Sequence, residues 1–258
     1  SYTLEVANTG GYGMLHSAQG VAIGTYIDAN GGWLGTASNH KLNFFTNNGS
    51  EAMTIGTTGN VGIGTTTPAK KLDVAGDALI NGLTIGRGAG DSYYNTVAGN
   101  AALNANTTGV GNTALGVSSL NTNTTGNNNT ALGLAAMEFN LDGGYNTAVG
   151  RNALRPNTTG SRNTALGEES LITNLTGNNN TMIGYQADVL SGNLTNSTAI
   201  GANAKVNASN SLVLGNNVNV GIGTTTPVNK LDVVGNIKAT TTITAGALTT
   251  AGIVTNTA

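Results

Sequence analysis

The chain has 258 residues, enough for one or two ordinary domains, yet only 9% are charged and 4% aromatic while Gly alone accounts for 39. Bulky core-formers are too scarce for a conventional globule, so cohesion must come from backbone ladders and tight packing of small residues. A formal charge of −2 supports no nucleic-acid partner, no run of apolar residues is long enough to insert into a bilayer, and the absence of Cys excludes disulfide and thiolate chemistry. A protein with no Cys that owes its toughness to architecture suits an extracellular or virion setting. The chain begins at Ser1 without Met or a signal peptide and so reads as a fragment or a processed product.

Residues 1–58 carry alternating apolar runs such as Val21 to Ile27, broken by Gly-Gly and Asn-Asn turns, and predict several short strands in a head or collar segment. Within it Trp33 is expected to be buried. Residues 59–90 form a connector that opens with N-V-G-I-G-T-T-T-P at Asn60 to Pro68 and continues into K-L-D-V from Lys71. V-G-I-G and K-L-D-V alternate as strands do, and T-T-T-P between them is a turn signal because Pro fixes its own φ and keeps its predecessor extended. The phrase returns at Asn219 to Pro227, followed by Lys230-Leu231-Asp232-Val233, within a second connector and narrow neck spanning 218–258. Each connector is expected to bring chains into register, with Lys and Asp of neighbouring chains available to pair.

Residues 91–217 repeat one phrase. It reads N-T-V-A-G at Asn95, N-T-A-L-G at Asn112 and Asn129, N-T-A-V-G at Asn146, N-T-A-L-G at Asn163 and N-T-M-I-G at Asn180. It ends as S-T-A-I-G at Ser197 and S-L-V-L-G at Ser211, so the steps are 17 residues long except the last, which is 14. A short fixed period marks a solenoid, in which each coil buries its apolar side only by stacking on its neighbours.

If the first residue of each phrase is position 0, like positions of successive coils become neighbours about 4.8 Å apart. Position +3, from Ala98 through Leu115, Leu132, Val149, Leu166, Ile183 and Ile200 to Leu214, is an apolar stripe expected to point into the coil. Side chains alternate along a strand, so position +2 should face outward. That position holds Val97, Ala114, Ala131, Ala148, Ala165, Met182, Ala199 and Val213, so both faces are apolar and a second copy of the chain is expected to cover the outer one. Ala114, Ala131, Ala148, Ala165, Met182, Ala199 and Val213 are accordingly the candidate interface between copies.

Position +4 is Gly in all eight phrases, and a second Gly precedes each of Asn112, Asn129, Asn146, Asn163 and Asn180 by three residues, as sharp turns require. A second apolar stripe at +8, Leu103, Leu120, Met137, Leu154 and Leu171, breaks at Asp188 and Lys205, so each coil is expected to be two short strands joined by two turns. Asn at position 0 and at +11 (Asn106, Asn123, Asn140, Asn157, Asn174) should form hydrogen-bonded ladders along the rod. The N-T-T triplets match a glycosylation sequon, but their recurrence with the period makes them turn chemistry. Glu138 with Arg155, and Arg151 with Glu168, fall one period apart and should pair between coils.

The phrases Asn196-Ser197-Thr198-Ala199-Ile200-Gly201 and, 14 residues on, Asn210-Ser211-Leu212-Val213-Leu214-Gly215 resemble the left-handed parallel β-roll heads of trimeric autotransporter adhesins. The G-G-W-L-G-T-A-S-N-H-K-L-N-F-F-T-N-N segment at Gly31 and the paired N-V-G-I-G-T-T-T-P phrases resemble phage tail fibres that end in a self-cleaving intramolecular chaperone. The resemblance implies an all-β homotrimeric fibre, a parallel β-roll of 17- and 14-residue coils flanked by short β-connectors. It also implies attachment of a phage, or of a bacterial cell as a surface adhesin, to a host-cell glycan or envelope protein, in company with other fibre or virion proteins. Two departures are the recurring three-residue insertion of the longer coils and the lack of a chaperone domain, which would lie beyond Ala258.

The residues offer little for catalysis. Glu168-Glu169 is the single adjacent acidic pair, and alternation along a strand would send the two carboxylates to opposite faces, a poor glycosidase dyad. His16 and His40 lie outside the repeats with no metal-ligand spacing around them, so no cofactor is expected. A polysaccharide-degrading tail spike would need clustered carboxylates, and an ice-binding face would need paired Thr where position +1 supplies one per coil. The candidate receptor contacts are Phe139 and Leu141, which stand where Thr or Ala is expected, with Tyr145, Arg155 and Tyr185. Phe139 either meets a receptor or fills a cleft between chains.

Overall fold

The computed structural model describes residues 3–5, 12–28, 31–47, 49–90, 92 and 94–238, and every regular element among them is a β-strand. Four strands, β1 (Thr3–Glu5), β2 (Tyr12–Ala18), β3 (Val21–Asp28) and β4 (Gly31–Thr36), pair antiparallel in chain order. Trp33 pairs with Tyr26 across that sheet but is 56% exposed, not buried as its bulk suggests. Next come β5 (Leu42–Phe45), β6 (Glu51–Ile55) and β7 (Val61–Ile63), again antiparallel, and then β8 (Leu72–Val74), which joins β7 in parallel.

The parallel step explains the connector phrase. Val61 pairs with Leu72, an offset of one tight coil closed by the T-T-T-P turn. Asn60 Nδ2 donates to the Pro68 carbonyl at 3.1 Å, Asp73 Oδ2 accepts the Ala69 N–H at 2.8 Å, and Lys71 Nζ donates to the Thr58 carbonyl at 3.2 Å. The second connector, with β21 (Val220–Ile222) and β22 (Leu231–Val233), repeats every bond: Asn219 to Pro227 at 3.0 Å, Val228 to Asp232 at 3.0 Å and Lys230 to the Asn217 carbonyl at 3.0 Å. Lys and Asp of the motif therefore serve the connector's own turn rather than waiting for another chain. Most of the expected neck, residues 239–258, lies outside the described residues, as does Tyr93.

Between the connectors stands the solenoid. A hairpin of β9 (Ala78–Ile80) and β10 (Leu83–Gly86) starts it, with Asp77 accepting the N–H groups of Arg87 at 2.7 Å and Gly88 at 2.9 Å. β10 pairs antiparallel with β11 (Thr96–Ala98), so the hairpin caps the first coil and β9 is the edge strand of the sheet. From there every pairing is parallel, through β12 (Thr113–Leu115), β13 (Thr130–Leu132), β14 (Thr147–Val149), β15 (Thr164–Leu166) and β16 (Thr181–Ile183). The stack is completed by β18 (Thr198–Ile200) and β20 (Leu212–Leu214). Thr113 sits on Thr130 and Thr130 on Thr147, and the shorter last step puts Leu212 on Thr198, so the register read from the repeats is the register of the sheet. The result is an all-β parallel β-solenoid of about seven turns with 17-residue coils.

The facing of the strand is the reverse of the expectation. Ala114, Ala131, Ala148, Ala165, Met182 and Ala199 at +2 are 0% exposed inside a single chain, whereas Leu132 and Leu166 at +3 are 44% and 45% exposed. Interior width is the reason. Leu103, Leu120, Met137, Leu154 and Leu171 at +8 reach across the coil and are themselves fully buried, leaving room opposite for Ala in most coils and for Val97 in the first, while Met182 fits where its coil has Asp188 at +8. A large side chain at +2 as well as +8 would overpack so thin a coil. The row of Ala residues named as the interface between copies is thus spent on the internal core, and only Val213, at the last coil, keeps partial exposure.

The second side of the coil also differs. Rather than a second strand, most coils carry turns, with Leu103, Leu120, Met137, Leu154 and Leu171 at φ between 48° and 53°. A left-handed residue with a Cβ costs about 1–2 kcal/mol, and complete burial of a Leu offsets it. Only β17 (Asp188–Val189) and β19 (Lys205–Val206) form the second strand, and there Val189 and Val206 take over as the buried residues where the +8 stripe breaks. The residues that break it pair with each other, Lys205 Nζ to Asp188 Oδ2 at 3.5 Å.

Both Asn ladders form. At +11 each side-chain amide donates to the one before, Asn123 to Asn106 at 3.0 Å, Asn140 to Asn123 at 2.7 Å, Asn157 to Asn140 at 2.7 Å and Asn174 to Asn157 at 2.8 Å. At position 0 each carbonyl oxygen accepts the backbone N–H of the next coil, as Asn112 Oδ1 does from Asn129 at 2.9 Å, while its NH2 reaches a Gly carbonyl of its own coil. That second Gly is needed for closeness rather than φ: a Cβ on Gly126 would lie 2.4 Å from Asn123 Oδ1 and 2.5 Å from the Gly143 carbonyl oxygen.

Candidate functional site

Because positions 0, +2, +7, +8 and +11 turn inward, the outer surface of the solenoid divides into a strand face and a set of turn corners. The strand face holds Thr at +1, the apolar row at +3 and a mixed row at +5. Val117 and Leu134 at +5 extend the exposed apolar surface over the early coils, and Ile200, Leu212 and Leu214 extend it over the last ones. Over seven strand spacings and the width of a five-residue strand, this face measures roughly 34 by 13 Å, on the order of 450 Å². The area includes the Thr row and the charged residues at +5, so its apolar part lies within the range that soluble chains leave uncovered.

Further along the same +5 row lie Arg151, Glu168 and Tyr185. Arg151 pairs with Glu168 as its register predicts, Nε to Oε1 at 3.0 Å, and its Nη2 also reaches Glu169 Oε1 at 3.2 Å. Both carboxylates meet one guanidinium, contrary to the opposite-face expectation, because Glu169 sits in a turn at φ 55° and not in a strand. The hydrogen bond from Gln186 Nε2, 2.8 Å from Glu169 Oε2, and then the Arg151 charge hold the Glu169 carboxyl below its ordinary value. A general acid needs the opposite shift. A group whose folded value is lowered adds stability above the ordinary carboxylate range and loses it as pH falls through that lowered value. The melting temperature of the wild type should therefore drop slightly more between pH 6 and pH 3 than that of Glu169→Gln, as thermal unfolding at the two pH values would reveal.

The named contact candidates occupy the turn corners, with Tyr185 apart on the strand face. Phe139 is exposed, and the Arg155 guanidinium lies 5.1 Å from its ring centre while Arg155 Nε holds Glu138 Oε2 at 2.6 Å. This is the second register-predicted pair, and it contributes about 0–1 kcal/mol at such exposure. Phe139 and Arg155 are thus brought together and largely satisfy each other. Leu141 is exposed at a neighbouring corner.

Tyr145 is the most exposed of the named residues at 61%, and Arg162, one coil on, stacks on it with its guanidinium 5.7 Å from the ring centre. The two share position −1. Sequence reasoning named Tyr145 but passed over Arg162, although the 17-residue spacing between them was the signal.

Among the described residues no group of three His, Asp or Glu side chains converges as metal ligands would, and no helix is long and apolar enough to cross a membrane. A hollow of about 420 Å³ beside the first connector is lined by Asn39, His40, Lys41, Thr57, Thr66 and Pro68 among others, without a carboxylate. No protein-family model matches the sequence, and no curated protein compared with it is similar.

Proposed function

We propose that this chain is a segment of a homotrimeric attachment fibre, a non-catalytic rod on a phage tail or a bacterial surface that presents its turn corners to a host-cell glycan or envelope protein. The observation that carries the reading is the apolar row at +3, exposed at Leu132, Leu166, Ile200 and Leu214 and half-buried at Leu115, Val149 and Ile183, with exposed Val117 and Leu134 beside it, on a sheet whose inward residues have already completed the core. A cover over this face would take its apolar row out of water, and identical copies supply one whose own rows match in length and spacing. The Thr at +1 and the apolar residue at +3 carry no charge, and the charges of this face at +5, Arg151 and Glu168, pair with each other. Resemblance of the repeat and connector phrases to adhesin heads and tail fibres supports the same reading.

The non-catalytic part rests on how the charges are used. Glu168 and Glu169 are held by Arg151, Glu138 by Arg155 and Asp188 by Thr173 and Lys205, so these carboxylates serve as structural partners. The test is adsorption of fluorescently labelled chain to bacterial cells, scored beside release of reducing sugar from the same cells. Saturable adsorption without sugar release is expected. Sugar release would favour a depolymerising spike, and failure to adsorb to any host strain would remove the attachment reading.

A further inference from the structure

We infer that Tyr145 and Arg162 together form a contact site for an acidic polysaccharide, on the corner of the coil at position −1. The inference rests on the attachment reading and names the chemistry of the ligand. Position −1 is a left-handed corner in the solenoid, with φ 57° at Asn128, 61° at Tyr145, 58° at Arg162 and 59° at Asn179. Gly111, Asn128, Asn179, Asn196 and Asn210 are the residue types this corner favours, since Gly has no Cβ and Asn tolerates the left-handed region. Two adjacent coils instead place a bulky side chain on that left-handed backbone, whereas Tyr94, at the same position of the first coil, is not left-handed.

At position +8 the same conformational cost has a compensation. Leu120, Met137 and Leu154 are left-handed and 0% exposed, so each gains a place in the core. Tyr145 gains nothing of the kind, being mostly exposed, and Arg162 is exposed as well. Strained residues cluster at contact sites, so an exposed strained side chain is a reason to look for one here.

The chemistry of the pair fits a sugar bearing an anionic group. The Tyr145 ring offers a face on which a pyranose can stack, and the adjoining guanidinium offers paired donors to a carboxylate or phosphate. Arg151 and Arg155 are both tied to carboxylates, whereas Arg162 makes no ion pair among the described residues. Its charge is available. The neighbours at position −2 are Asn127, Gly144, Ser161 and Asn178, small or hydrogen-bonding residues with no apolar pocket to anchor a protein hot spot. The platform is also rigid, because the Tyr145 N–H donates to the Asn127 carbonyl at 2.9 Å and the Arg162 N–H to the Gly144 carbonyl at 3.0 Å.

The experiment titrates the full chain, wild type and the variants Tyr145→Asn and Arg162→Asn, with polygalacturonate, glycerol-phosphate teichoic acid and neutral dextran, and records melting temperatures in parallel. Expected is binding to one or both anionic polymers and not to dextran, weakened about tenfold or more by either substitution. The melting temperature should stay constant or rise, since Asn suits the corner better than Tyr or Arg. Carboxylate and phosphodiester sources are separated by which of the two anionic polymers binds. No binding to either, equal binding to dextran, variants that bind as wild type does, or a lowered melting temperature in Tyr145→Asn would each overturn the assignment. Whole-cell adsorption that survives both substitutions would sink this site while leaving the attachment reading intact.

Discussion

Gly150→Ala is expected to break the solenoid in two. Gly150 has φ 135°, a value open only to Gly, and an added Cβ would lie 2.4 Å from the Gly167 carbonyl oxygen and 2.6 Å from its carbon. The obstacle is backbone, so no rotamer change relieves it. Gly116, Gly133, Gly167 and Gly184 repeat the contact up and down the stack, each seated on the next. In a solenoid each coil is stabilised by its neighbours, so one coil that cannot seat separates the turns above it from those below. The cost should exceed about 4 kcal/mol, the range reserved for backbone clashes and buried defects. Thermal unfolding followed by circular dichroism would show a large fall in melting temperature or two separate transitions. Gly35→Ala, where nothing lies within 4 Å, serves as the control and should shift stability by less than about 0.5 kcal/mol. A Gly150→Ala chain that melts with the control would mean that the coils do not stack as described.

The second large effect concerns assembly rather than folding. Leu132→Lys combined with Leu166→Lys places two ammonium groups on the +3 row, whose side chains are nearly half exposed in the single chain. Since neither residue contributes to the internal core, the coil itself should keep its circular dichroism spectrum. Burying such charges between copies without partners costs several kcal/mol, enough to dissociate an interface built on that row. The double variant should therefore run as one chain where the wild type is expected to run as an oligomer. The matched substitution inside the coil, Ala131→Lys, should instead abolish folding, because Ala131 is fully buried. The pair of experiments separates the outer face from the inner one.

How far the sequence could be read follows from where identity repeats. Register was legible because the phrase starting at Asn95 returns every 17 residues, and stacking does the rest; the two ion pairs of Arg151 and Arg155 follow from the same arithmetic. Inward and outward sense was not legible, because positions +2 and +3 are both apolar and the deciding quantity is interior width, set by Leu and Met at +8 across the coil. Position +7, with Ala102, Ala136, Ala153 and Ala187 fully or almost fully buried, went unread because Ala carries no periodic signal of its own. The left-handed angles at Leu120 or Leu154 are equally silent, since nothing about Leu suggests them. At the candidate site the useful signal was negative: Tyr145 and Arg162 stand where every other coil but the first, which has Tyr94, carries Gly or Asn.

The proposed cover over the strand face is most directly tested by sedimentation equilibrium of the wild-type chain at micromolar concentration. A mass three times the 25.7 kDa of the chain is the predicted result. A single-chain mass across the whole concentration range would contradict it, since the +3 row would then stand in water with nothing over it.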